Sequence, residues 1–390
     1  MPRHYLDHAA STPLLDVAVD AITRELSRVG NPSSSHTSGR AARRVVEESR
    51  ESIAACVGAQ PREVIFTSGG TEADNLAVKG GYWAARHRDP ARTGLVTSVV
   101  EHHAVLDTVE WLAAEDGAKL TLLPVDGQGR LDPESATQAL GPETALVSVM
   151  WANNEVGTLQ PVRRFAARAA EVGALSHSDA VQAVGHVPVD FAASGLDTLS
   201  FTAHKLGGPV GVGALLVKRE VSLTATQHGG GQERDVRSGT LAVAAIAGFA
   251  AAVRAAVADL EAERQRVSAL RRTLIDGIRA IVDDAVVNGP SDPLEALPGV
   301  ASVILPGCEA QSLLMLLDAA GIDCSAGSAC SAGVTRPSHV LTALGLSERE
   351  TRSSVRFSLG HSSTAADVAA VLAALPDAVA RTRRVGAWSD

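Results

Sequence analysis

Short apolar runs alternate with amphipathic stretches along the first half of the chain. Runs of four to six residues, bounded by turn-forming residues, predict seven strands. These strands lie at residues 64–67, 95–100, 120–124, 146–150, 174–178, 198–201 and 214–217. Apolar residues at helical spacing predict helices at residues 40–57, 71–86, 104–116 and 162–172. This alternation predicts an α/β fold in which a mainly parallel, seven-stranded sheet is flanked by helices.

The pattern changes in the second half of the chain. A helical pattern runs from about residue 240 to about 282, and we place a domain boundary inside it, near residue 255. Two further strands are predicted beyond it, at residues 300–305 and 355–359. We therefore expect a large domain of residues 15–255 and a smaller α+β domain that combines residues 1–14 with 256–390.

Composition narrows the class of protein. Of the 390 residues, 45% are apolar but only 3% are aromatic, so the core must consist of Ala, Val and Leu. The net charge of −9 argues against nucleic acid or an anionic membrane as the main partner. The longest apolar run, residues 241–253, ends at Arg254 and is too short to span a membrane. The first residues also lack the apolar core of a signal peptide, so we expect a cytoplasmic protein.

The four cysteines do not have the spacing of a disulfide framework or a metal site. They are Cys56, Cys308, Cys324 and Cys330, and no two of them form a CxxC pair. We therefore expect reduced thiols. Cys56 and Cys308 are interpreted as buried apolar residues. Cys330 instead lies in a run of small residues, where we expect its thiol to reach groups at a distance.

One lysine stands at the end of a predicted strand. An apolar run at residues 197–201 leads into Thr202, His204 and Lys205 and then breaks at a Gly-Gly-Pro turn. Only four of the 35 Lys and Arg residues are lysines. Unlike arginine, a partly desolvated lysine can lose its proton and then form a Schiff base or act as a base. The alternative is an ordinary surface or capping lysine, and this segment alone favours neither.

Residues 66–74 run from a predicted strand through a glycine turn into a helix. Thr71 is the expected N-cap, and Asp74 follows three residues later, as in a capping box. Free N–H groups at a helix start, approached closely beside Gly70, can bind a phosphate group. A strand-to-helix turn favours glycine in any case, so this motif is weak by itself. It also lacks the Gly-Lys-Ser/Thr of a nucleotide-binding P-loop.

Polar side chains follow three other predicted strands. They are His102, Asn154, and Asp179 with Gln182. Each has an ordinary alternative, since His102 could start a helix and Asp179 could cap one at residues 180–184. Ligands bind at the carboxyl edge of parallel sheets, where these ends would meet. Together with the lysine and the glycine turn, they supply the amine, the carboxylate and the anion site that pyridoxal phosphate requires.

These motifs resemble those of the cysteine desulfurases of the NifS/IscS type, which are class-V aminotransferase-like members of the fold-type I pyridoxal phosphate enzymes. The similar segments lie at residues 5–10, 30–36, 66–72, 101–108, 153–157, 179–182, 204–205, 229–234, 237–240 and 327–330. Because so many motifs occur in one order, the resemblance is far more specific than any single one.

The resemblance implies roles around the cofactor. Lys205 would hold pyridoxal phosphate, and His102 would stack on its ring as a further catalytic residue. Asp179 would pair with the pyridine nitrogen and Gln182 with the ring oxygen. The phosphate group would contact Gly70, Thr71, Thr202, His204 and, from the other subunit of a homodimer, Thr240.

The resemblance also implies the reaction. Asn154 and Arg356 match positions that hold the substrate, with Asn154 touching the cofactor as well, and a guanidinium suits an α-carboxylate. The enzyme would convert L-cysteine to L-alanine, with the Lys205 amine moving the α-proton. Cys330 would keep the sulfur as a persulfide, and Cys324 has no implied role. The sulfur would pass to an acceptor protein, either an iron–sulfur scaffold or a tRNA-thiolation enzyme.

The chain departs from the family pattern at two glycines. Gly207 stands where IscS-like members often carry an aromatic residue, and Gly70 stands where they carry alanine. The spacing from Cys330 to Pro337 fits the branch with a long loop. The thirty residues after Gly360 form a short tail, which leaves the identity of the acceptor open.

Two other functions stay open on the sequence alone. A fold-type I aminotransferase or a selenocysteine lyase would keep Lys205 and Asp179, although an aminotransferase would not need Cys330. A metal-binding or iron–sulfur carrier protein would use the twelve histidines and four cysteines. No tight ligand spacing favours such a metal site.

Overall fold

The computed structural model describes residues 3–326 and 337–386. The strands are β1 (His4–Tyr5), β2 (Val64–Thr67), β3 (Gly94–Ser98), β4 (Lys119–Leu123), β5 (Thr144–Ser148), β6 (Leu175–Asp179), β7 (Thr198–Thr202), β8 (Gly213–Val217), β9 (Val286–Asn288), β10 (Val300–Ile304), β11 (Ile322–Asp323), β12 (Ser325–Ala326) and β13 (Ser354–Ser358). The helices are α1 (Asp16–Leu26), α2 (Thr37–Cys56), α3 (Gly70–Arg88), α4 (His103–Glu115), α5 (Ser135–Ala139), α6 (Val162–Val172), α7 (Phe191–Ser194), α8 (Val243–Ala258), α9 (Leu260–Ile281), α10 (Ala310–Ala319), α11 (His339–Ala343), α12 (Glu348–Arg352) and α13 (Ala365–Gly386). Short 3-10 helices lie at Pro61–Glu63, Ala203–Lys205 and Pro293–Glu295.

A seven-stranded sheet with the order β2-β8-β7-β6-β5-β3-β4 forms the larger part of the molecule. All its neighbouring strands are parallel except β8, which runs antiparallel to β2 and β7. A single 3-10 turn and a short loop join β7 to β8, and parallel pairing would need a longer crossover. Each strand of this sheet overlaps one predicted from the sequence, so the predicted fold class is confirmed.

Helices cover both faces of this sheet. Neighbouring residues of a strand point to opposite faces. In β5, Leu146 packs in a hydrophobic cluster with Tyr82 of α3, whereas Val147 packs in another with Phe165 of α6. Burial on both faces explains the uniformly apolar strands. It leaves the edge formed by the strand ends as the place where a ligand can enter.

The chain bends sharply between the two parts of the molecule. The predicted helical stretch at 240–282 consists of two helices, α8 and α9, which Asp259 separates and whose axes differ by 74°. In the described part of the chain, no single helix has the length and apolarity to cross a membrane. The bent pair of α8 and α9 reaches those values only when the two helices are counted together.

A second sheet and a second core follow the bend. Strands β12, β13, β10 and β9 form an antiparallel four-stranded sheet, against which α9, α10 and α13 pack. The N-terminal β1 pairs in parallel with β11, and Leu6 packs with Phe357 in this second core. The division into residues 15–255 and residues 1–14 with 256–390 stays a prediction.

Candidate active site

Lys205 lies where β7 ends in a sharp turn. The strand stops at Thr202, the 3-10 turn follows, and Gly207 has a φ of +85°. A Cβ atom at Gly207 would lie 2.6 Å from Cγ of Leu15. In this chain, both the left-handed backbone and this close approach favour glycine. The turn presents Lys205 at the edge of the sheet.

Backbone carbonyl groups hold the Lys205 amine. Its Nζ donates to the carbonyl oxygens of Ala9, at 2.6 Å, and Ala10, at 2.7 Å. Burial, with a smaller contribution from the charge of Arg356, lowers the pKa of Lys205 to about 8. A fraction of the amine is therefore neutral near neutral pH, which a nucleophile or base requires.

A cavity of about 260 Å³ opens beside Lys205, at the carboxyl ends of the parallel strands. It brings together nine residues that were predicted to bind a cofactor, namely Gly70, Thr71, His102, Asn154, Asp179, Gln182, Thr202, His204 and Lys205. Asp74, Met150, Ala152 and Val181 complete its lining. These residues come from separate strand ends and from the start of α3, so the predicted convergence at one sheet edge is found.

The start of α3 differs from the sequence prediction. The helix begins at Gly70, and its N-cap is Gly69 rather than Thr71. Because glycine has no side chain, the N-cap residue makes no side-chain hydrogen bond to the helix. Two successive glycines let the helix begin two residues earlier than a cap at Thr71 would allow. A Cβ atom at Gly70 would lie 2.8 Å from Cγ2 of Val181. Among the described residues, the N–H groups of residues 70–72 have no hydrogen-bond partner, so they form an anion cradle.

Asp74 does not form the predicted capping box. Its carboxyl is buried, accepts a hydrogen bond from Oγ of Ser200, and lies 3.3 Å from Nε2 of His177. Burial raises the pKa of Asp74 to about 7 and lowers that of His177 to about 4. Asp74 is a polar residue that lines the cavity, whereas the sequence analysis assigned it to helix capping.

Asp179 ends β6 and faces the cavity with 5% of its surface exposed. Its Oδ1 accepts a hydrogen bond from the N–H of Val181 at 2.8 Å, and its other oxygen accepts none from the described residues. The predicted helix at 180–184 is not formed, because turns occupy residues 181–186. Burial raises the pKa of Asp179 to about 7, with the charge of Asp74 adding to the effect. A cation in the cavity would meet a free carboxyl oxygen here.

His102 combines both roles that the sequence left open. It is the N-cap of α4, where its Nδ1 accepts a hydrogen bond from the N–H of Ala104 at 3.1 Å. The neutral ring therefore carries its proton on Nε2. Burial lowers the pKa of His102, and the ring lines the cavity as a neutral, planar group.

The N-terminal segment forms a wall of the site that sequence reasoning did not assign. The carbonyl oxygen of Ala9 accepts hydrogen bonds from both Lys205 and Gln182, the latter at 2.9 Å. His204 lies close to this segment too, with Nδ1 3.3 Å from Oγ of Ser11. Backbone carbonyl groups carry no signal in the sequence. Only the resemblance at residues 5–10 pointed to this segment.

Arg356 lies beside the cavity and does not line it. On β13, with 7% of its surface exposed, it donates to the carbonyl oxygen of Asn154 at 3.0 Å and to Oδ1 of Asp7 at 2.9 Å. Its buried Nε has no partner among the described residues. Arg356 thus connects the second sheet to the rim of the cavity.

The other predicted residues do not line the cavity as far as the structure describes them. Cys330 lies outside the described residues. Thr240 is exposed shortly before α8, and its role towards another subunit stays a prediction. Cys308 is buried and Cys56 half-buried, each packed against a hydrophobic core. Burial raises the pKa of Cys324 to about 12, so this thiol resists forming the reactive thiolate.

The chemistry of the cavity fits pyridoxal phosphate. The free N–H groups of α3 suit its phosphate, and the space beside Gly70 is one that a Cβ atom would fill. The Lys205 amine suits its aldehyde, and the free oxygen of Asp179 suits a protonated pyridine nitrogen.

Comparison with known proteins first gives the class. The model of the aminotransferase class-V family matches residues 4–371, which is nearly the whole chain. The chain belongs to this family, whose enzymes depend on pyridoxal phosphate.

Individual relatives narrow the class further. A protein of Mycobacterium tuberculosis named IscS-like cysteine desulfurase is 54% identical over 382 residues, which cover 97% of both chains. The solved structure of a NifS-like protein has a TM-score of 0.90 at 34% identity and covers 97% of this chain and 100% of its own. A structure of SspA in complex with cysteine has a TM-score of 0.79 at 32% identity and covers 93% and 100%. Within the family, this chain is one of the IscS/NifS-type cysteine desulfurases.

Proposed function

We propose that the protein is a pyridoxal phosphate-dependent enzyme that removes sulfur from L-cysteine, releases L-alanine and holds the sulfur on Cys330. The observation that carries this proposal is the single cavity in which the Lys205 amine, the free Asp179 oxygen and the start of α3 meet. The neighbouring SspA structure, which contains cysteine, supports the choice of substrate.

Each side chain has a definite task in this proposal. Lys205 attaches the cofactor, Asp179 keeps the pyridine nitrogen protonated, His102 packs on the ring and Gln182 donates to the ring oxygen. The phosphate is held by Gly70, Thr71, Thr202 and His204. When bound, the cofactor supplies an electron sink for the substrate α-carbon.

Substrate handling falls to residues around the rim. The unpartnered Nε of Arg356 leaves a donor for the α-carboxylate, and the Asn154 amide contacts substrate and cofactor. Lys205, once free of the cofactor, takes the α-proton in its neutral form. Because its pKa is lowered to about 8, a larger fraction of the amine is neutral near neutral pH than in an ordinary lysine.

The described chain on both sides of Cys330 is attached to residues next to the cavity. Before it, Ser325 of β12 pairs with Arg356, and after it, Ser338 donates to Oε2 of Glu155 at 2.5 Å. Cys330 is four residues beyond Ala326, and four extended residues span about 13 Å. We propose that the thiol in this segment reaches the rim where the substrate carboxylate would bind.

The sulfur step needs a thiolate in reach of the substrate sulfur. The Cys330 thiolate attacks that sulfur, so an S–S bond forms while the Cβ–S bond breaks. The electron pair of the broken bond stays on the carbon fragment, which is protonated to give alanine. The product on the protein is a persulfide, which a thiol reductant or an acceptor protein can discharge.

The protein acts with partners in this proposal. It forms a homodimer in which Thr240 of one subunit contacts the phosphate in the other, and it passes sulfur to an iron–sulfur scaffold or a tRNA-thiolation enzyme. A cytoplasmic location agrees with the reduced thiols that the chemistry needs.

The test is product release from L-cysteine in the presence of dithiothreitol. We expect sulfide and alanine in equal amounts, with no need for a 2-oxoacid, and no turnover in Lys205→Ala. Borohydride reduction followed by peptide mapping should place the pyridoxyl group on Lys205. Lys218→Ala is the control, because Lys218 only bonds the carbonyl oxygen of Gly195 and Asp197. A label on Lys79, Lys119 or Lys218, or alanine formed without sulfide, would contradict the proposal.

A further inference from the structure

We propose that Arg237 is a positioning residue of the phosphate site, because it neutralises the Glu72 carboxylate that stands at the start of α3. This inference rests on the proposed function. Neither residue lines the cavity, so their effect on the cofactor passes through the first turn of the helix.

Glu72 holds the strand-to-helix turn in shape. Its Oε2 accepts a hydrogen bond from the N–H of Ser68 at 2.7 Å, which fixes the chain just before the two glycines. Glu72 directly follows Gly70 and Thr71, both of which line the cavity. The glutamate therefore has a structural task that brings its side chain to the place where an anion is meant to bind.

An unpaired carboxylate at this place would oppose phosphate binding. The start of a helix attracts anions through its free N–H groups, and a second negative charge there repels the first. Arg237 removes the conflict with a bidentate contact: its Nε donates to Oε1 of Glu72 at 2.6 Å and its NH2 group to Oε2 at 3.2 Å. The two side chains are only 15% and 21% exposed, so solvent screens the pair weakly.

The loop that carries Arg237 is anchored independently of Glu72. Arg237 and Glu233 exchange backbone hydrogen bonds of 3.0 and 3.3 Å. The buried Glu233 carboxylate accepts hydrogen bonds from Arg50 and from the N–H of Phe66, at the start of the same turn. Removal of Glu72 should therefore leave Arg237 in place, which allows charge and tethering to be separated by mutation.

The experiment is a charge cycle measured by cofactor affinity. The apo forms of Arg237→Gln, Glu72→Gln and the double variant are titrated with pyridoxal phosphate and with pyridoxal, which lacks the phosphate. We expect Arg237→Gln to weaken the binding of pyridoxal phosphate by about tenfold, with pyridoxal affected by less than about twofold. Glu72→Gln should bind at least as tightly as the wild type, because its amide oxygen can still accept from Ser68. The double variant should recover the affinity.

Arg234→Gln is the matched control. It removes an arginine of the same loop that is exposed and bonds only the carbonyl oxygen of Arg62, so its affinity should equal that of the wild type. Equal weakening in both single variants and the double variant would show that the pair is a tether and overturn the proposal. Unchanged affinity in Arg237→Gln, or an equal loss for pyridoxal, would overturn it too.

Two further results keep the test decisive. If Arg237→Gln fails to fold, Glu72→Gln alone still decides, because weaker binding of pyridoxal phosphate in that variant contradicts a charge role. A wild-type protein that binds no pyridoxal phosphate rejects the proposed function itself. A wild type that binds it, together with an unaffected Arg237→Gln, rejects only the role of Arg237.

Discussion

Asp179 reaches the cavity with one carboxyl oxygen fixed by the Val181 N–H and the other free. Burial raises its pKa to about 7, so the carboxyl is not fully ionised near neutral pH unless a cation lies beside it. A protonated pyridine nitrogen would be that cation and would draw the pKa of Asp179 down again. The structural bond to Val181 and the proposed charge role make different demands on this residue.

Asp179→Asn separates the two demands. Asparagine keeps the shape and can still accept the Val181 N–H, so a purely structural role predicts nearly normal turnover. A charge role predicts a loss of at least about a hundredfold, as for other proton-controlling groups. Asp190→Asn is the control, because among the described residues the Asp190 side chain accepts only the N–H of Ala193, at the start of α7. Turnover in Asp179→Asn close to that of the control would return Asp179 to the structural role.

Lys205 gives a prediction for pH. The amine attacks an aldehyde only when neutral, and burial lowers its pKa from 10.5 to about 8. The rate at which apo protein takes up pyridoxal phosphate, followed by borohydride trapping, should therefore rise with pH and level off above the pKa. We expect the midpoint near pH 8. A midpoint near 10, as for an exposed lysine, would show that Lys205 is not the desolvated nucleophile.

At the scale of elements, the strands beside the lysine and the glycine turn were predictable, whereas the cap of α3 and the helix after Asp179 were not. Apolar runs closed by polar residues and glycine fixed β2 and β7 to within one residue, and with them the sheet edge that collects the site. The cap at Thr71 was wrong because Gly69 and Gly70 let α3 begin earlier. The helix at 180–184 was wrong because turns occupy this stretch, and Gly185 within them has a φ of +78°.

Contacts between distant elements could not be predicted from the sequence, for another reason. The acceptors of Lys205 are carbonyl oxygens of Ala9 and Ala10, which any residue type could provide at those positions. The pairing of Arg356 with Asp7 depends on two segments at opposite ends of the chain. Neither contact has a periodicity or a spacing that local reasoning can detect, although the resemblance marked both segments as part of the family pattern.

The loop before α8 provides a prediction for stability. Glu233 pairs with Arg50 of α2, and the two side chains are 1% and 10% exposed. Without Glu233, Arg50 keeps only the half-exposed Glu47 as a charged partner, at 3.2 Å, so Glu233→Gln should lower the free energy of unfolding by about 3 kcal/mol. Urea denaturation measures this change.

The matched control lies on the same helix. Glu48 pairs with Arg44 of α2 at 2.6 Å, and both side chains are largely exposed. An exposed pair contributes little, so Glu48→Gln should leave the denaturation curve almost unchanged. Similar curves for Glu233→Gln and Glu48→Gln would show that burial does not strengthen the Arg50 pair.

At the scale of the whole molecule, the proposed site uses residues of both sheets. The seven-stranded sheet supplies the lysine and the carboxylate through Lys205 and Asp179, whereas β13 of the four-stranded sheet supplies Arg356. Arg356 joins the two by its bonds to Asn154 and Asp7. The segment that carries Cys330 leaves from β12, next to Arg356, and returns at Ser338, which bonds Glu155. In the proposed function, cofactor chemistry and sulfur capture thus belong to different parts of the molecule.

This division predicts that Cys330→Ser loses one step and keeps the other. The variant should bind pyridoxal phosphate and L-cysteine as the wild type does, because Lys205, Asp179 and the start of α3 are untouched. It should release almost no sulfide, since a hydroxyl near neutral pH is a far weaker nucleophile towards sulfur than a thiolate. Absorbance of the bound cofactor follows the first property, and sulfide assay the second.

Cys324→Ser is the control that tests which thiol receives the sulfur. Burial raises the pKa of Cys324 to about 12, so this thiol rarely forms a thiolate, and its variant should keep most of the turnover. Alkylation of the wild type after one turnover, followed by mass spectrometry, should place the additional sulfur on Cys330. If sulfide release survived in Cys330→Ser, or if the persulfide occurred only on Cys324, sulfur capture would belong to another thiol. The cofactor site around Lys205 would be unaffected by that result, because no cysteine lines its cavity among the described residues.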